Sequence, residues 1–238
     1  MDKDVIDLSN IKLPNLSPRI IFIAVAVLLG LVVVMDSVYQ IQPEEVGIIR
    51  RLGRYNAPPR PPGLQFKLPF IDTVVKVPVQ RQLKQEFGFR TADPTGRRTI
   101  YSPQDFLGES LMLTGDENIV DVDLIVQYRI ADAAKFLFRV KDPDGTVRKA
   151  TEAAIREVVG SKIIDETLTT GKDQIQVETM ALIQKTLDRY DSGLLIMAVQ
   201  LQDVNPPTQV RDAFIDVASA REDKNRIINE AQGYRNAI

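Results

Sequence analysis

The residues of this chain that could take part in catalysis lack the partners that catalysis usually needs. The sequence contains no histidine and no cysteine, which removes the commonest general base, the commonest transition-metal ligand and all thiolate chemistry. Ser110 follows Gly108 and Glu109, but the second glycine of a nucleophile elbow is missing. A Ser-Lys dyad built on Ser110 or Ser161 is the alternative, since a lysine could approach either serine in space. The composition therefore indicates a protein that is not an enzyme.

Asp121 and Asp123 are the candidates for a metal site. On a strand, side chains two residues apart share one face at a spacing of about 6.6 Å, which would suit a cation. No third ligand is evident beside them, whereas Ca²⁺ takes roughly six to eight oxygen ligands. We therefore interpret the pair as part of a solvated strand face, and we predict neither a metal nor a cofactor.

These aspartates belong to the clearest predicted hairpin. Residues 111–113 lead through the polar turn 114–118 into a strand at 120–130, along which apolar and polar residues alternate. Further strands are predicted at 46–52, 64–70, 73–79 and 194–201, and four prolines predict an extended, rigid loop at 57–63. The apolar residues of 64–70 are expected to face the core. As the alternative, Phe66 and Phe70 rest on a bilayer.

Helical periodicity predominates in the second half of the chain. Helices are predicted at 131–140, from the turn 142–145 to Gly160, and from Asp173 through Leu187. The polar stretch at 91–105 predicts a surface loop. Together with the strands, these helices predict an α+β domain at residues 40–205, in which helices pack on an antiparallel sheet.

An apolar run at residues 20–35, bounded by Arg19 and Asp36, predicts a membrane helix. Extended through Tyr39, the helix reaches about 30 Å, the thickness of the hydrocarbon core. A cleaved signal segment and a buried core helix are the alternatives, but three aspartates precede the run and no small-residue cleavage site follows it. We therefore predict a tail at 1–19 and an anchor at 20–39. Basic residues are equally numerous on both sides of the anchor, so they do not indicate which end of the helix is cytoplasmic. The side chains that represent the anchor are Ile20, Phe22, Val25, Leu28, Leu31, Val34 and Met35.

Pro206 and Pro207 precede a predicted helix that continues to residue 238. Along this helix small and apolar residues recur at alternating spacings of three and four, which is the pattern of a coiled coil. These seam residues are Ala213, Val217, Ala220, Lys224, Ile227, Ala231, Tyr234 and Ile238, of which Lys224 alone is charged. An amphipathic helix folded back on the domain is the alternative. We predict the start of a coiled coil that joins subunits.

Several segments, in this order, resemble the stomatin, prohibitin, flotillin and HflK/C family, also called SPFH or band 7. They are the anchor, VGIIRRLGR at 46–54, PGLQFKLPFID at 62–72, the DEN turn at 116–118, and Pro206-Pro207 before a long helix. The resemblance covers residues 40–238. Four motifs are similar to the HflK branch of this family, namely FGFRT at 87–91, MLTGDEN at 112–118, VQYR at 126–129 and ASARE at 218–222.

The resemblance implies a single-pass protein of the inner cell membrane, with a cytoplasmic N-terminus and an extracytoplasmic main domain. It also implies a non-enzymatic scaffold that contacts membrane lipid, forms homo- or hetero-oligomers with an HflC-like subunit and regulates an FtsH-like protease. A stomatin-like scaffold serving a channel or a lipid domain is the alternative. The HflK branch commonly has a longer Gly-rich tail and a longer coiled coil, so the chain is expected to be a fragment or to lack those parts. Nucleic acid is not an expected partner, because 30 basic and 32 acidic residues leave a net charge of −2.

Overall fold

The computed structural model describes residues 18–91, 106–169 and 171–237, which form two compact units that divide between Val77 and Pro78. Most of the predicted tail at 1–19, most of the predicted loop at 91–105 and the seam residue Ile238 therefore lie outside the described residues. Each unit contains its own antiparallel strands.

The first unit consists of helix α1, Pro18–Ser37, followed by five short strands. The strands are β1 Val38–Ile41, β2 Glu45–Arg51, β3 Arg54–Arg60, β4 Gly63–Phe66 and β5 Asp72–Pro78. β1 pairs with β4, while β2 lies between β3 and β5 in a second sheet. Leu52 and Gly53, with φ of +49° and +82°, form the tight turn between β2 and β3. The predicted strand at 46–52 is confirmed as β2.

The proline-rich segment that predicts a loop at 57–63 is instead a strand for much of its length. Pro58 and Pro59 lie in β3, which pairs with β2 and forms one edge of the three-stranded sheet. Proline cannot donate a ladder hydrogen bond, but an edge strand has a side on which no such bond is required. The loop prediction was wrong because proline excludes central strands rather than all strands.

The alternation at 64–70 begins as predicted, but its apolar face points away from the core. Val38 pairs with Phe66 and Gln40 with Leu64, so these four side chains share one face of the β1–β4 ribbon. Phe66 is 73% exposed, whereas Ile41 on the opposite face is fully buried. The expectation of a core face was therefore wrong. The predicted length was also wrong, because β4 ends at Phe66.

The second unit is organised around the 12-residue strand β8, Ile119–Ile130. Its other strands are β6 Leu83–Phe87, β7 Leu111–Leu113 and β9 Leu194–Asn205, and each is antiparallel to β8. Its helices are α2 Leu107–Ser110, α3 Ala133–Phe138, α4 Pro143–Gly160, α5 Ile164–Leu168, α6 Lys172–Arg189 and α7 Arg211–Ala237. Every second residue of β8 is buried, and α6 packs on both α4 and β9. The predicted α+β arrangement is confirmed.

Local sequence explains where two of these helices begin. The Asp132 carboxylate accepts two backbone hydrogen bonds at the start of α3, and the Asp142 carboxylate accepts one, from the N–H of Gly145, at the start of α4. Pro143 fits the first turn of α4, where its missing N–H is not needed. Gly193, before β9, has a φ of +72°, and a Cβ there would lie 2.5 Å from the carbonyl oxygen of Asp132. This close turn therefore requires glycine.

Glutamine side chains of α6 cover part of the outer edge of β9. Gln184 donates to the carbonyl oxygen of Leu194 at 3.2 Å and accepts from the N–H of Ile196 at 2.8 Å. Gln176 accepts from the N–H of Leu201 at 3.2 Å. Register shifts interrupt the pairing of β9 with β8. Both features make this edge a poor template for strands of other chains.

The helix predicted by the apolar run is present as α1, although it ends earlier than the predicted span. Ser37 is its last residue, and the Ser37 hydroxyl donates to the carbonyl oxygen of Val33 at 2.6 Å. Tyr39 belongs to β1. In the part of the chain that the structure describes, no helix is both long and apolar enough to cross a membrane. The predicted span at 20–39 is therefore not confirmed.

Candidate functional site

The two serines considered for a Ser-Lys dyad have other surroundings. Ser110, at the end of α2, is only 2% exposed. The Ser161 hydroxyl donates to the carbonyl oxygen of Val158 at 2.7 Å, and the adjacent Lys162 pairs with Glu178 at 3.1 Å. Neither serine is hydrogen-bonded to a lysine within residues 106–169 and 171–237. The dyad alternative therefore has no geometric support.

Asp121 and Asp123 lie on one face of β8, as predicted, but this face is less open than predicted. Asp123 pairs in register with Asp203 of β9, which brings a third carboxylate close. The Asp123 carboxylate also lies against Gly88, where an added Cβ would be only 1.8 Å from Asp123 Oδ1. Burial, together with the charges of Asp121 and Asp203, raises the pKa of Asp123 to about 6. Across the described ranges, no group of three or more His, Cys, Asp or Glu side chains could hold a metal ion.

The turn at 114–118 connects the β7–β8 hairpin to the helices. Asp116 Oδ1 accepts a hydrogen bond from the Thr114 hydroxyl at 2.6 Å and one from the N–H of Ile164 at 3.1 Å. These hydrogen bonds hold the pKa of Asp116 below its usual range. The Gly115 N–H donates to the carbonyl oxygen of Lys162 at 2.8 Å, and a Cβ on Gly115 would lie 2.9 Å from a backbone oxygen. The sequence predicts this turn but gives no signal for its partner helix.

A second group of contacts that sequence reasoning missed surrounds Glu109 of α2. Glu109 accepts hydrogen bonds from Arg90 at 2.8 and 3.0 Å and from Arg148 of α4 at 3.2 Å. The Arg90 guanidinium lies 4.5 Å from the centre of the Phe106 ring, and that of Arg148 lies 5.1 Å from the Phe87 ring. Charge-assisted hydrogen bonds and cation–π contacts therefore link β6 to α2 and α4. The FGFRT motif thus has a structural role.

The first unit exposes a large amount of apolar surface. The β4 surface, as we call it, consists of Leu64, Phe66, Leu68, Phe70 and Ile71, all exposed, with Phe70 at 86%. The predicted anchor residues of α1 are also exposed, namely Phe22, Val25, Leu28, Leu31, Val34 and Met35, while the side chain of Ile20 lies outside the described set. The N–H of Lys67 donates to the carbonyl oxygen of Ser37 at 2.8 Å, so the β4 surface begins beside the end of α1. Exposed apolar surface of this extent indicates an interaction site.

Helix α7 exposes its predicted seam. The exposed seam residues are Ala213, Val217, Ala220, Lys224, Ile227, Ala231 and Tyr234. In the first half of α7, Arg221 pairs with Asp165 of α5 at 2.7 Å. A groove with a cavity volume of about 870 Å³ separates α7 from α5, and Ile164, Phe214 and Val217 line it. The seam stays a prediction, because a single chain does not test contacts between subunits.

The comparisons with known proteins explain the order of these motifs. The sequence profile described as "SPFH domain / Band 7 family" matches residues 39–235. The chain belongs to the SPFH/band 7 family. Within the SPFH family it is similar to Protein HflK of Vibrio cholerae serotype O1, with 42% identity over 200 residues, which are 84% of this chain and 45% of that protein. The predicted family is thus confirmed.

Two further SPFH relatives are also longer than the part of them that this chain matches. Protein HflK of Treponema pallidum is 38% identical over 208 residues, covering 86% of this chain and 62% of that protein. The Modulator of FtsH protease HflK of Escherichia coli (strain K12) is 32% identical over 225 residues, covering 94% of this chain and 48% of that protein. The chain spans about half the length of the curated relatives it matches.

Proposed function

We propose that this SPFH chain is part of a membrane-associated scaffold that modulates an FtsH-like protease. The observation that carries the proposal is the combination of two buried cores with exposed apolar surface on α1, β4 and α7. Surface of this kind favours contacts with lipid or with other chains. The printed name of the Escherichia coli relative, a modulator of FtsH protease, supports the choice of partner.

In this proposal α1 crosses the inner membrane once, with the N-terminus in the cytoplasm and the second unit on the extracytoplasmic side. Its 20 residues correspond to a length of about 30 Å. The large apolar side chains that the structure describes on α1, between Phe22 and Met35, are exposed, and lipid covers a surface of this kind. Carbonate washing should leave the chain in the membrane, and protease added to intact spheroplasts should digest the second unit. Digestion only after lysis would reverse the proposed topology.

Helix α7 then joins subunits, either copies of this chain or this chain and an HflC-like partner. Its seam follows the three-and-four spacing of a coiled coil, and its exposed alanines allow close helix approach. An exposed ion pair, Arg221–Asp165 at 2.7 Å, links the first half of α7 to α5. The same geometry in every subunit would arrange the helices regularly.

A scaffold of this kind acts on proteolysis without cutting any bond. An assembly beside a membrane protease excludes substrates that cannot pass it and raises the local concentration of those held inside it. Membrane substrates must travel in the plane that the assembly occupies, whereas soluble cytoplasmic substrates need not. The effect on the two substrate classes should therefore differ.

The test is reconstitution of FtsH in liposomes with and without this chain and an HflC-like subunit. We expect the degradation rate of a membrane substrate to change more than that of a soluble substrate. The variant Val217→Asp/Ile227→Asp, which places charges in the seam, should lose the effect, while Ile215→Asp, outside the seam, should keep it. Both sites have similar exposure, since Val217 is 52% and Ile215 55% exposed.

Two results would contradict this function. Cleavage that persists with inactive FtsH and stops on Ser110→Ala or Ser161→Ala would favour the protease alternative. An unchanged FtsH rate, together with co-purification of a channel from native membranes, would favour the stomatin-like scaffold. The exposed β4 surface is compatible with that second candidate, because contact with lipid does not depend on which protein is regulated.

A further inference from the structure

A cavity of about 450 Å³ opens on the surface of the second unit, where the packed helices α4 and α6 meet the segment between α3 and α4. Three cations line it, namely Arg139, Lys141 and Lys149. No carboxylate of residues 106–169 and 171–237 does so, although the whole chain has 32 acidic and 30 basic residues. The cavity therefore collects positive charge in a chain whose net charge is slightly negative.

Two of these cations have no counter-ion in the part of the second unit that the structure describes. Lys141 and Lys149 are exposed and form no ion pair there. Arg139 pairs with Asp191 at 3.2 Å, but Asp191 also pairs with Lys135 at 2.7 Å. One carboxylate thus serves two cations, and the cavity keeps an excess of positive charge that an incoming anion can reach from solvent.

The threonine hydroxyls that line the cavity already donate within the fold. The Thr146 hydroxyl donates to the carbonyl oxygen of Asp142 at 2.7 Å, and the Thr186 hydroxyl donates to that of Leu182 at 2.9 Å. At the start of α4, the N–H of Gly145 donates to the Asp142 carboxylate at 3.0 Å. Phosphate sites in proteins commonly use free backbone N–H groups and hydroxyls. This cavity offers a phosphate little beyond charge attraction, so its chemistry favours another kind of anion.

The remaining walls suit an apolar side chain. Ala150 and Ala153 of α4 line the cavity with small side chains, and Tyr190, at the end of α6, lines it with a ring that is 55% exposed. The volume lies within the range of about 300–1,000 Å³ that is typical of ligand pockets. Apolar walls beside exposed lysines match a segment that has apolar and acidic side chains next to each other.

We propose that this cavity binds an acidic peptide segment of a partner protein. An apolar or aromatic side chain of the segment packs against Ala150, Ala153 and Tyr190, and neighbouring carboxylates pair with Lys141 and Lys149. Lysine suits this role, because its flexible stem and compact charge adapt to carboxylates in different positions. The site lies apart from the seam of α7 in the sequence, and it does not depend on which protease or channel the chain regulates.

The test is fluorescence anisotropy with the full chain in mild detergent and a short labelled peptide in which glutamates flank a phenylalanine. We expect saturable binding that weakens as salt is added, because exposed charges are screened. Lys141→Gln/Lys149→Gln should lose about fivefold in affinity, as expected for two exposed ion pairs. Tyr190→Ala should also bind the peptide less tightly, because the apolar contact with the ring is lost.

Arg54→Gln/Lys76→Gln is the matched control, because it removes the same charge from two exposed sites of the first unit. It should bind the peptide like the wild type. The exposed Lys141 and Lys149 have no ion pair to lose among the described residues, so their double variant should melt like the wild type.

Five outcomes would overturn the site. Equal binding of the same peptide with glutamines in place of glutamates would show that the lysines do not select it, and equal loss in the control would mean that binding follows net charge. Unchanged affinity in either the double lysine variant or Tyr190→Ala would show that the peptide binds elsewhere. Displacement by inorganic phosphate at equal concentration would assign a free-anion site. Loss of peptide binding in phosphatidylglycerol nanodiscs, but not in phosphatidylcholine nanodiscs, would assign the cavity to the lipid surface.

Discussion

Asp116 Oδ1 lies 3.1 Å from the backbone nitrogen of Ile164, so a turn between two strands provides the N-terminal cap of a helix 48 residues later. Helix α5 needs this help, because Ile163 at its own N-cap position offers no side-chain hydrogen bond. The hairpin and the helical layer are therefore joined by a hydrogen bond to a charged group, the stronger kind.

We expect Asp116→Ala to lower the thermal midpoint of the second unit by about 2–4 °C at neutral pH, through loss of this cap. The pKa of Asp116 is lowered in the fold, so its contribution is present above the ordinary carboxylate range and is lost as the pH falls through the folded value. Circular dichroism melts against pH measure this. Glu117→Gln, in the same turn, is the control and should melt like the wild type at every pH. A constant difference between Asp116→Ala and the wild type down to strongly acidic pH would contradict the cap.

Asp123→Asn should stabilise the second unit at neutral pH by about 1 kcal/mol, allowing for the partial exposure of the carboxylate. The pKa of Asp123 is raised to about 6, so the folded state binds the proton more tightly than the unfolded state. The wild type therefore gains stability relative to Asp123→Asn as the pH falls through that value, and the gain is complete below the ordinary carboxylate pKa. Urea denaturation over this range measures it. Glu157→Gln, an exposed site on α4, should show no such trend.

Gln184→Ala should destabilise the β9 edge, because two backbone groups, at Leu194 and Ile196, lose their partners. We expect a cost of about 1–2 kcal/mol and faster aggregation on heating, since an uncovered edge pairs readily with other strands. Gln174→Ala, also on α6, removes only an exposed hydrogen bond to Glu178 and is the control. Light scattering during thermal ramps distinguishes the two; equal aggregation would show that the edge is protected in another way.

The seam predicts that Val217→Asp combined with Ile227→Asp reduces large assemblies to small ones while each unit stays folded. Charges buried in a coiled-coil seam cost about 2–4 kcal/mol per site when nothing pairs with them. Size-exclusion chromatography with light scattering in detergent measures the change. Ile215→Asp controls for a charge at an apolar, exposed site outside the seam. If the double variant keeps the wild-type size, the helix face at 217 and 227 is not an interface.

The strands and helices of the second unit could be predicted because local pattern and burial agree there. The alternation along β8 and the Asp142-Pro143 start of α4 both correspond to features of the structure. Pattern failed at Leu64 and Phe66, because period two identifies a strand but not which face meets the core. Contacts between residues far apart in the sequence could not be predicted either. The pair Glu109 and Arg148 is an example, because no local rule specifies a partner 39 residues away.

The central position of β8 has a consequence for how the chain folds as it is synthesised. The residues of β9 that pair with β8 follow much later in the sequence. Gln127 of β8 and its partner Gln200 of β9, for example, are 73 residues apart. During synthesis β8 therefore emerges with one edge unpaired and its apolar face uncovered, while α4 and α6 form locally before β9 arrives. Until β9 has been made, the apolar face of β8 is therefore a surface at which the growing chain is open to aggregation.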